Sequence, residues 1–162
     1  MKKYKKILIV THQYLPHVSP RTTRWKLLVD ELITNGHNVS ILTGMYPDFD
    51  TNNVKVLYFG NKNNINIVSN LREKSKQITS GDSIKKLFYG VLKKVYRFFI
   101  NYLAWPDYSM FWLYQVYKNR NKISKDYDVI ISVSLPFSSH IAAYVINKKV
   151  KKHWIMDIGD PF

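Results

Sequence analysis

Residues 127–140 read YDVIISVSLPFSSH, and residues 154–162 read WIMDIGDPF. In the first stretch, the apolar run Val129–Val133 predicts a buried strand that ends in small hydroxyl residues, just before a helix begins. In the second stretch, the run Trp154–Ile158 predicts another strand, which leads into an acid. Ligands bind just outside the carboxyl ends of strands in an open parallel sheet, so the two stretches predict polar groups around one cleft.

The rest of the chain alternates predicted strands and helices. Strands are expected over Lys6–Thr11, His37–Thr43 and Val54–Phe59, and helices over Pro20–Asn35, Ser83–Tyr102, Met110–Ile123 and Ser138–Lys149. Spacings of three and four predict that the first helix turns one stripe toward the sheet, formed by Trp25, Leu28, Val29, Leu32 and Ile33. This alternation predicts an α/β fold, a Rossmann-like doubly wound, mainly parallel sheet with flanking helices, in a single domain over residues 1–162.

Composition limits the classes of partner. The 162 residues include no cysteine, which excludes a disulfide scaffold and a thiolate metal site. With 25 Lys and Arg against 11 Asp and Glu, the net charge of +14 predicts an anionic partner: lipid headgroups, nucleic acid or phosphorylated substrates. No stretch approaches the ~20 uncharged apolar residues of a membrane-spanning helix. Glycine-rich phosphate loops and paired zinc-binding histidines are missing too, so neither a cofactor nor a metal is expected.

Polar residues follow the first predicted strand and reach into the first turns of the next helix. They are His12, Tyr14, His17, Arg21 and Arg24. A helix N-terminus attracts anions through its free N–H groups, and the fork of Arg24 suits a phosphate or a carboxylate. The pattern is also compatible with a solvated basic loop beside an ordinary helix cap.

A second set follows the strand at Val129–Val133. The amides of Ser138 and Ser139 would suit a phosphate or a sugar hydroxyl, although a serine at this position is also a common N-cap. His140 fits a packed or solvated histidine better than a catalytic base. Asp160, just past the last strand, would suit a general base, or an Asx-type turn before Pro161.

The predicted helix over 83–102 is basic and amphipathic. Its charged side and the aromatic residue that follows would suit an anionic membrane, through Lys85, Lys86, Lys93, Lys94, Arg97 and Trp105. Alternatively, the lysines only face water while the apolar side packs on the sheet. A nucleic-acid partner is not expected, because the chain lacks a helix-turn-helix, RRM or OB signature.

Together, these residues resemble the amino-terminal domain of GT-B fold glycosyltransferases of the family-4 type, in particular enzymes of bacterial capsule, O-antigen and exopolysaccharide assembly. The matching motifs are Tyr14-Leu-Pro16, Arg24, Leu32 to Gly36-His37-Asn-Val39, Ser40 to Thr43, Pro106-Asp107, Trp112 and the run Tyr127 to His140. The chain departs from the pattern at Gly159, where the family tends to show an arginine before Asp160. This departure removes a cation from the cleft.

The resemblance implies the acceptor-binding half of an enzyme that moves a sugar from a nucleotide donor to a lipid-linked acceptor without a metal. The half that binds the nucleotide sugar is not among these 162 residues, so the chain is expected to need that domain, or a separate donor-binding subunit, for activity. In family terms, Asp160 would be the base or an acid that orients the acceptor, Arg24 and His12 would line the acceptor or phosphate side, and Ser134 and Ser139 would form the cleft floor. A cytoplasmic protein, peripheral at the inner face of the cell membrane, is expected. The alternative function is a non-catalytic membrane-associated adaptor that recruits a donor-binding subunit.

Overall fold

The computed structural model of the protein describes residues 4–45, 54–60, 107 and 109–159. In these ranges the elements are β1 (Lys6–Val10), α1 (Pro20–Thr34), β2 (Asn38–Thr43), β3 (Lys55–Tyr58), α2 (Met110–Asn119) with a 3-10 turn (Arg120–Lys122), β4 (Val129–Val133), α3 (Ser138–Val150) and β5 (His153–Asp157). Several predictions lie outside the described residues: the helix over 83–102, Asp160, and the membrane contacts Lys85, Lys86, Lys93, Lys94, Arg97 and Trp105.

The five strands form one sheet in the order β3-β2-β1-β4-β5, and every neighbouring pair is parallel. The Rossmann-like α/β fold predicted from the sequence is therefore confirmed for the described part of the chain. The chain moves outward from β1 through β2 to β3, and then returns to add β4 on the other side of β1. The order reverses between β1 and β4, and this topological switch point is where open sheets of this kind bind ligands.

Strand side chains alternate between two apolar layers. Ile7 and Ile9 of β1 face α1, whose Trp25 and Val29 are buried against them. The other face of the sheet packs on the pair of helices α2 and α3. Because both faces are covered, β1 and β4 are apolar along nearly their whole length, which is typical of parallel sheets.

Both ends of α1 follow their sequence signals. Ser19 caps the start, and its hydroxyl accepts a hydrogen bond from the Thr22 amide. After the last turn, Gly36 has a φ of 84°, and the amides of Gly36 and His37 bond back to Ile33 and Leu32 in a Schellman motif. The apolar stripe is narrower than predicted, because Leu28 is exposed at its edge.

None of the helices in the described ranges is long and apolar enough to cross a membrane.

Candidate functional site

The loops that follow β1 and β4 meet at the switch point. The His12 amide, just after β1, donates a hydrogen bond to the Ser139 hydroxyl at 3.1 Å. Beside it, the Ser134 amide, just after β4, donates to the Asp157 carbonyl on β5 at 3.0 Å. These bonds join the carboxyl ends of the central strands into one polar edge. A ligand is expected to bind at this edge, and we call it the crevice.

On the α1 side of this edge, two arginines converge with Ser134 on Gly159. A methyl group at Gly159 would lie 3.5 Å from Ser134 Oγ and 3.8 Å from both Arg21 Nε and Arg24 Nη2. The Gly159 amide itself donates to Ser134 Oγ at 2.9 Å. We call these four residues, Arg21, Arg24, Ser134 and Gly159, the arginine cluster. These distances are ordinary van der Waals contacts, so the missing side chain of Gly159 leaves room for a group about the size of a methyl group.

Asp157 partly neutralises the positive charge of the arginine cluster. Its carboxylate forms an ion pair with Arg24 and also accepts a hydrogen bond from Trp25 Nε1 at 2.8 Å. Arg21 donates to the Leu135 carbonyl at 3.2 Å. Among the described residues here, two guanidinium groups and one carboxylate leave one positive charge in excess, which favours an anion.

The loop after β4 has an unusual backbone beside the arginine cluster. Leu135 has a φ of 52°, in the left-handed region that a leucine rarely occupies. Strained residues of this kind persist only where the surrounding structure holds them, and they concentrate at functional sites. The hydrogen bond from Arg21 to the Leu135 carbonyl is one contact that holds this strained loop in place.

Asp107 occupies the N-terminus of α3. Its carboxylate accepts hydrogen bonds from the Ser138 amide and hydroxyl, each at 2.7 Å, and from the Ser109 amide and hydroxyl at 2.9 and 2.6 Å. Burial alone would raise the pKa of Asp107, but these bonds outweigh burial and hold its pKa below the usual value. The Ser139 amide donates to the Pro136 carbonyl. Both amides that the sequence offered to a phosphate are therefore used inside the protein.

His12 lies on the α2 side of the crevice. Its ring meets Trp112 edge-on with centroids 5.2 Å apart, and a methyl group at Gly44 would lie only 2.5 Å from its Cδ2 atom. Burial in this apolar setting lowers the pKa of His12 to about 4, and the charge of Asp107 opposes this only in part. The imidazole is therefore neutral at pH 7 and is suited to hydrogen bonding, not to pairing with an anion.

His140 packs below the crevice, as one of the two sequence interpretations held. Ser132 Oγ lies 2.7 Å from His140 Nδ1 and accepts a hydrogen bond from Trp154 Nε1 at 2.9 Å. The His140 ring is buried, and its Nε2 makes no hydrogen bond within the described ranges. Burial lowers the pKa of His140, although the charge of Asp157 opposes the effect. Ser132, His140 and Trp154 thus form a buried, uncharged hydrogen-bond cluster between β4, α3 and β5.

The structure sorts the predicted site residues into two groups. Arg24 and Ser134 meet in the arginine cluster, while His12 and Ser139 are bonded to each other on the α2 side. Ser138 is held by Asp107. The sequence interpretation missed the contacts of Asp107 with Ser138 and of Asp157 with Arg24, because these partners are 31 and 133 positions apart along the chain. The one signal that the sequence offered was the position of Asp107 in the motif Pro106-Asp107 and of Asp157 in the predicted strand Trp154–Ile158.

No group of three or more metal-binding side chains occurs in the part of the chain that the structure describes. Comparison of the chain with protein-family models and with curated proteins found no match. The parallel sheet and the two residue groups at its switch point are thus the features from which a function must be argued.

Proposed function

We propose that this chain is the acceptor-binding half of a GT-B glycosyltransferase, which moves a sugar from a nucleotide donor to a lipid-linked acceptor in cell-surface polysaccharide synthesis. In this proposal the chain is inactive without a donor-binding domain or subunit. Two lines support it: the ordered motifs that resemble the family, and a parallel sheet whose switch point carries polar groups.

The observation that carries the proposal is the arginine cluster. A lipid-linked sugar is joined to its lipid through phosphate, and the planar fork of arginine suits phosphate oxygens. One guanidinium nitrogen of Arg21 and one of Arg24 each lie 3.8 Å from the position of a methyl group at Gly159, and with Asp157 the described side chains carry one net positive charge. Gly159 keeps this point open, so the missing arginine of the family pattern is offset by two arginines from α1.

The α2 side of the crevice supplies a group for a sugar. A neutral imidazole and a hydroxyl suit the hydroxyl groups of a sugar, because each can donate or accept a hydrogen bond. The imidazole of His12 is such a group, whereas the Ser139 hydroxyl is fully buried and accepts a hydrogen bond from the His12 amide, so Ser139 holds the loop that carries His12. Asp160 keeps its proposed role as the base that accepts the proton of the acceptor hydroxyl, since it follows Gly159 directly in the sequence.

The alternative adaptor function predicts a different binding property of the crevice. An adaptor needs a surface for its partner subunit but no affinity for a phosphate-linked sugar. Binding of such a sugar by the isolated chain, without any turnover, therefore favours the acceptor-binding half. No binding at millimolar concentration would favour the adaptor.

Replacement of Arg24 by glutamine is expected to weaken binding of a water-soluble isoprenyl diphosphate-linked monosaccharide at least about tenfold, since a lost hydrogen bond to a charged group contributes about 1.5–3 kcal/mol. Arg21→Gln should have a similar effect. Isothermal titration calorimetry measures both. The matched control is Lys26→Gln, which removes a cation of the same helix that pairs with Asp30 outside the cluster. Equal losses in all three variants would mean that only net charge matters, and would contradict the proposed site.

A further inference from the structure

Helix α2 exposes three aromatic side chains on the face that points away from the sheet. Its inward side buries Trp112 and Val116. On the outward side, Phe111, Tyr114 and Tyr117 are 66, 64 and 54 % exposed. Positions three residues apart share one side of a helix, so the three rings form a continuous aromatic strip. The helix rises about 9 Å from Phe111 to Tyr117, which sets the length of the strip.

The surface around the aromatic strip is mainly positive. No Asp or Glu occurs over residues 108–125 or 129–156, which include all of α2 and α3. The acids between these two segments, Asp126 and Asp128, lie beside Lys6, with Asp126 also near Lys152. Cations follow the strip and the neighbouring helix end, at Lys118, Arg120, Lys122, Lys125, Lys148, Lys149, Lys151 and Lys152. The α1 side of the sheet is different, because its exposed Leu27 is accompanied by the acids Asp30 and Glu31.

α2 and α3 lie side by side and form one surface. Asp107 joins their starts through Ser109 and Ser138, and Lys149 Nζ joins their ends through Asn121 Oδ1 at 3.0 Å. Since helices that pack on a parallel sheet run opposite to its strands, both begin at the crevice edge. Phe111, in the first turn of α2, is therefore close to this edge, and its neighbour in sequence, Trp112, contacts the His12 ring. The aromatic strip borders the site and ends at the cluster of cations.

We propose that this face, formed by the aromatic strip and the cations around it, docks on an anionic lipid bilayer. Exposed aromatic rings settle at the level of the headgroups, and basic residues beside them are attracted to anionic lipid. The proposal does not depend on sugar transfer. It also concerns a surface other than the segment with Lys85 to Trp105.

Nucleic acid is the competing partner for a basic aromatic surface, because bases stack on aromatic rings in single-strand sites. Here two rings of this face, Tyr117 of the strip and Tyr144 of α3, are partly covered by cations of the protein. The guanidinium of Arg120 lies 3.8 Å from the centre of the Tyr117 ring, and Lys148 Nζ lies 4.9 Å from that of Tyr144. Rings covered in this way are poor platforms for bases, yet their edges and cations remain available to headgroups.

Vesicle flotation with the full chain tests the proposal. The wild type is expected to float with phosphatidylcholine–phosphatidylglycerol vesicles (3:1) and not with pure phosphatidylcholine. Two variants, F111A/Y114A/Y117A and K118E/K122E, are each expected to lower the partition coefficient about tenfold or more. The changed side chains are largely exposed, and circular dichroism checks that each variant is folded. If the triple variant does not fold, K118E/K122E decides alone.

Matched controls lie elsewhere on the protein. L27A/L28A shortens exposed apolar side chains of α1, and K26E/K55E changes the net charge as much as K118E/K122E does. Both should stay within about twofold of the wild type. Four results would overturn the proposal: no binding by the wild type, equal losses in test and control variants, a loss confined to K93E/K94E/R97E, or tighter binding to a single-stranded oligonucleotide than to vesicles.

Discussion

Replacing Asp107 with alanine is expected to lower the free energy of unfolding by about 3 kcal/mol. The carboxylate accepts four hydrogen bonds, from the amides and hydroxyls of Ser109 and Ser138. Each hydrogen bond to a charged group contributes about 1.5–3 kcal/mol, but four bonds to one group do not add fully. The variant also leaves the positive end of α3 without its counter-charge. Urea unfolding followed by circular dichroism measures the loss.

Two further variants define the cause. Asp107→Asn keeps the shape of the side chain but places an NH2 group opposite the donors of Ser109 or Ser138. We therefore expect a loss of unfolding free energy smaller than that of Asp107→Ala. Asp126→Ala removes an exposed carboxylate that pairs with Lys6 at the other end of the sheet, and its effect should be far smaller. If Asp107→Ala were no more destabilising than Asp126→Ala, Asp107 would not be the cap of α3. The affinity for the acceptor probe should also fall, because Ser139 and His12 depend on that helix end.

His12 is expected to make the protein sensitive to acid. Its pKa is about 4 in the folded protein, compared with an ordinary value of 6.5, so the unfolded chain binds a proton between these values that the folded protein does not. The free energy of unfolding therefore falls with falling pH, by roughly 3 kcal/mol between pH 6.5 and pH 4. Above about pH 7.5 the histidine is neutral in both states and adds no pH dependence.

Urea unfolding at several pH values compares wild type with His12→Gln. The variant should show a flatter decline of the unfolding free energy between pH 6.5 and pH 4. His17→Gln, at an exposed position, controls for the loss of a histidine as such. The lowered pKa of His140 adds a decline of the same sign, while the lowered pKa of Asp107 removes stability only as its carboxylate becomes protonated, below its ordinary value of 3.8. Parallel curves for wild type and His12→Gln would contradict a buried, neutral His12.

Local pattern predicted most of the architecture. β4 lies over Val129–Val133 as predicted, and α1 begins at the predicted Pro20 after its Ser19 cap. These elements depend on apolar periodicity and capping, which are properties of neighbouring residues. Parallel pairing followed from the alternation of strands and helices. Leu28 was misplaced because a spacing of three puts it at the margin of the stripe, where packing and not pattern decides burial.

Partners within the site could not be predicted in the same way. The carboxylate of Asp157 points at Arg24 only because β5 lies at one edge of the sheet and α1 covers that face. Similarly, Asp107 could be recognised as the cap of α3 only after α2 was known to pack on α3. A sequence marks residues suited to bind an anion, but not whether the protein itself already supplies one, as it does at Ser138.

We propose that a phosphate-linked sugar binds at the switch point between β1 and β4. The most direct test is a titration of the 15N-labelled chain with the isoprenyl diphosphate-linked monosaccharide, followed by NMR. We predict that the largest amide shift changes occur at His12, Ser134, Ser139 and Gly159, and that Arg24→Gln reduces them. Shift changes confined to the cation-rich ends of α2 and α3, with these four amides unmoved, would contradict the claim.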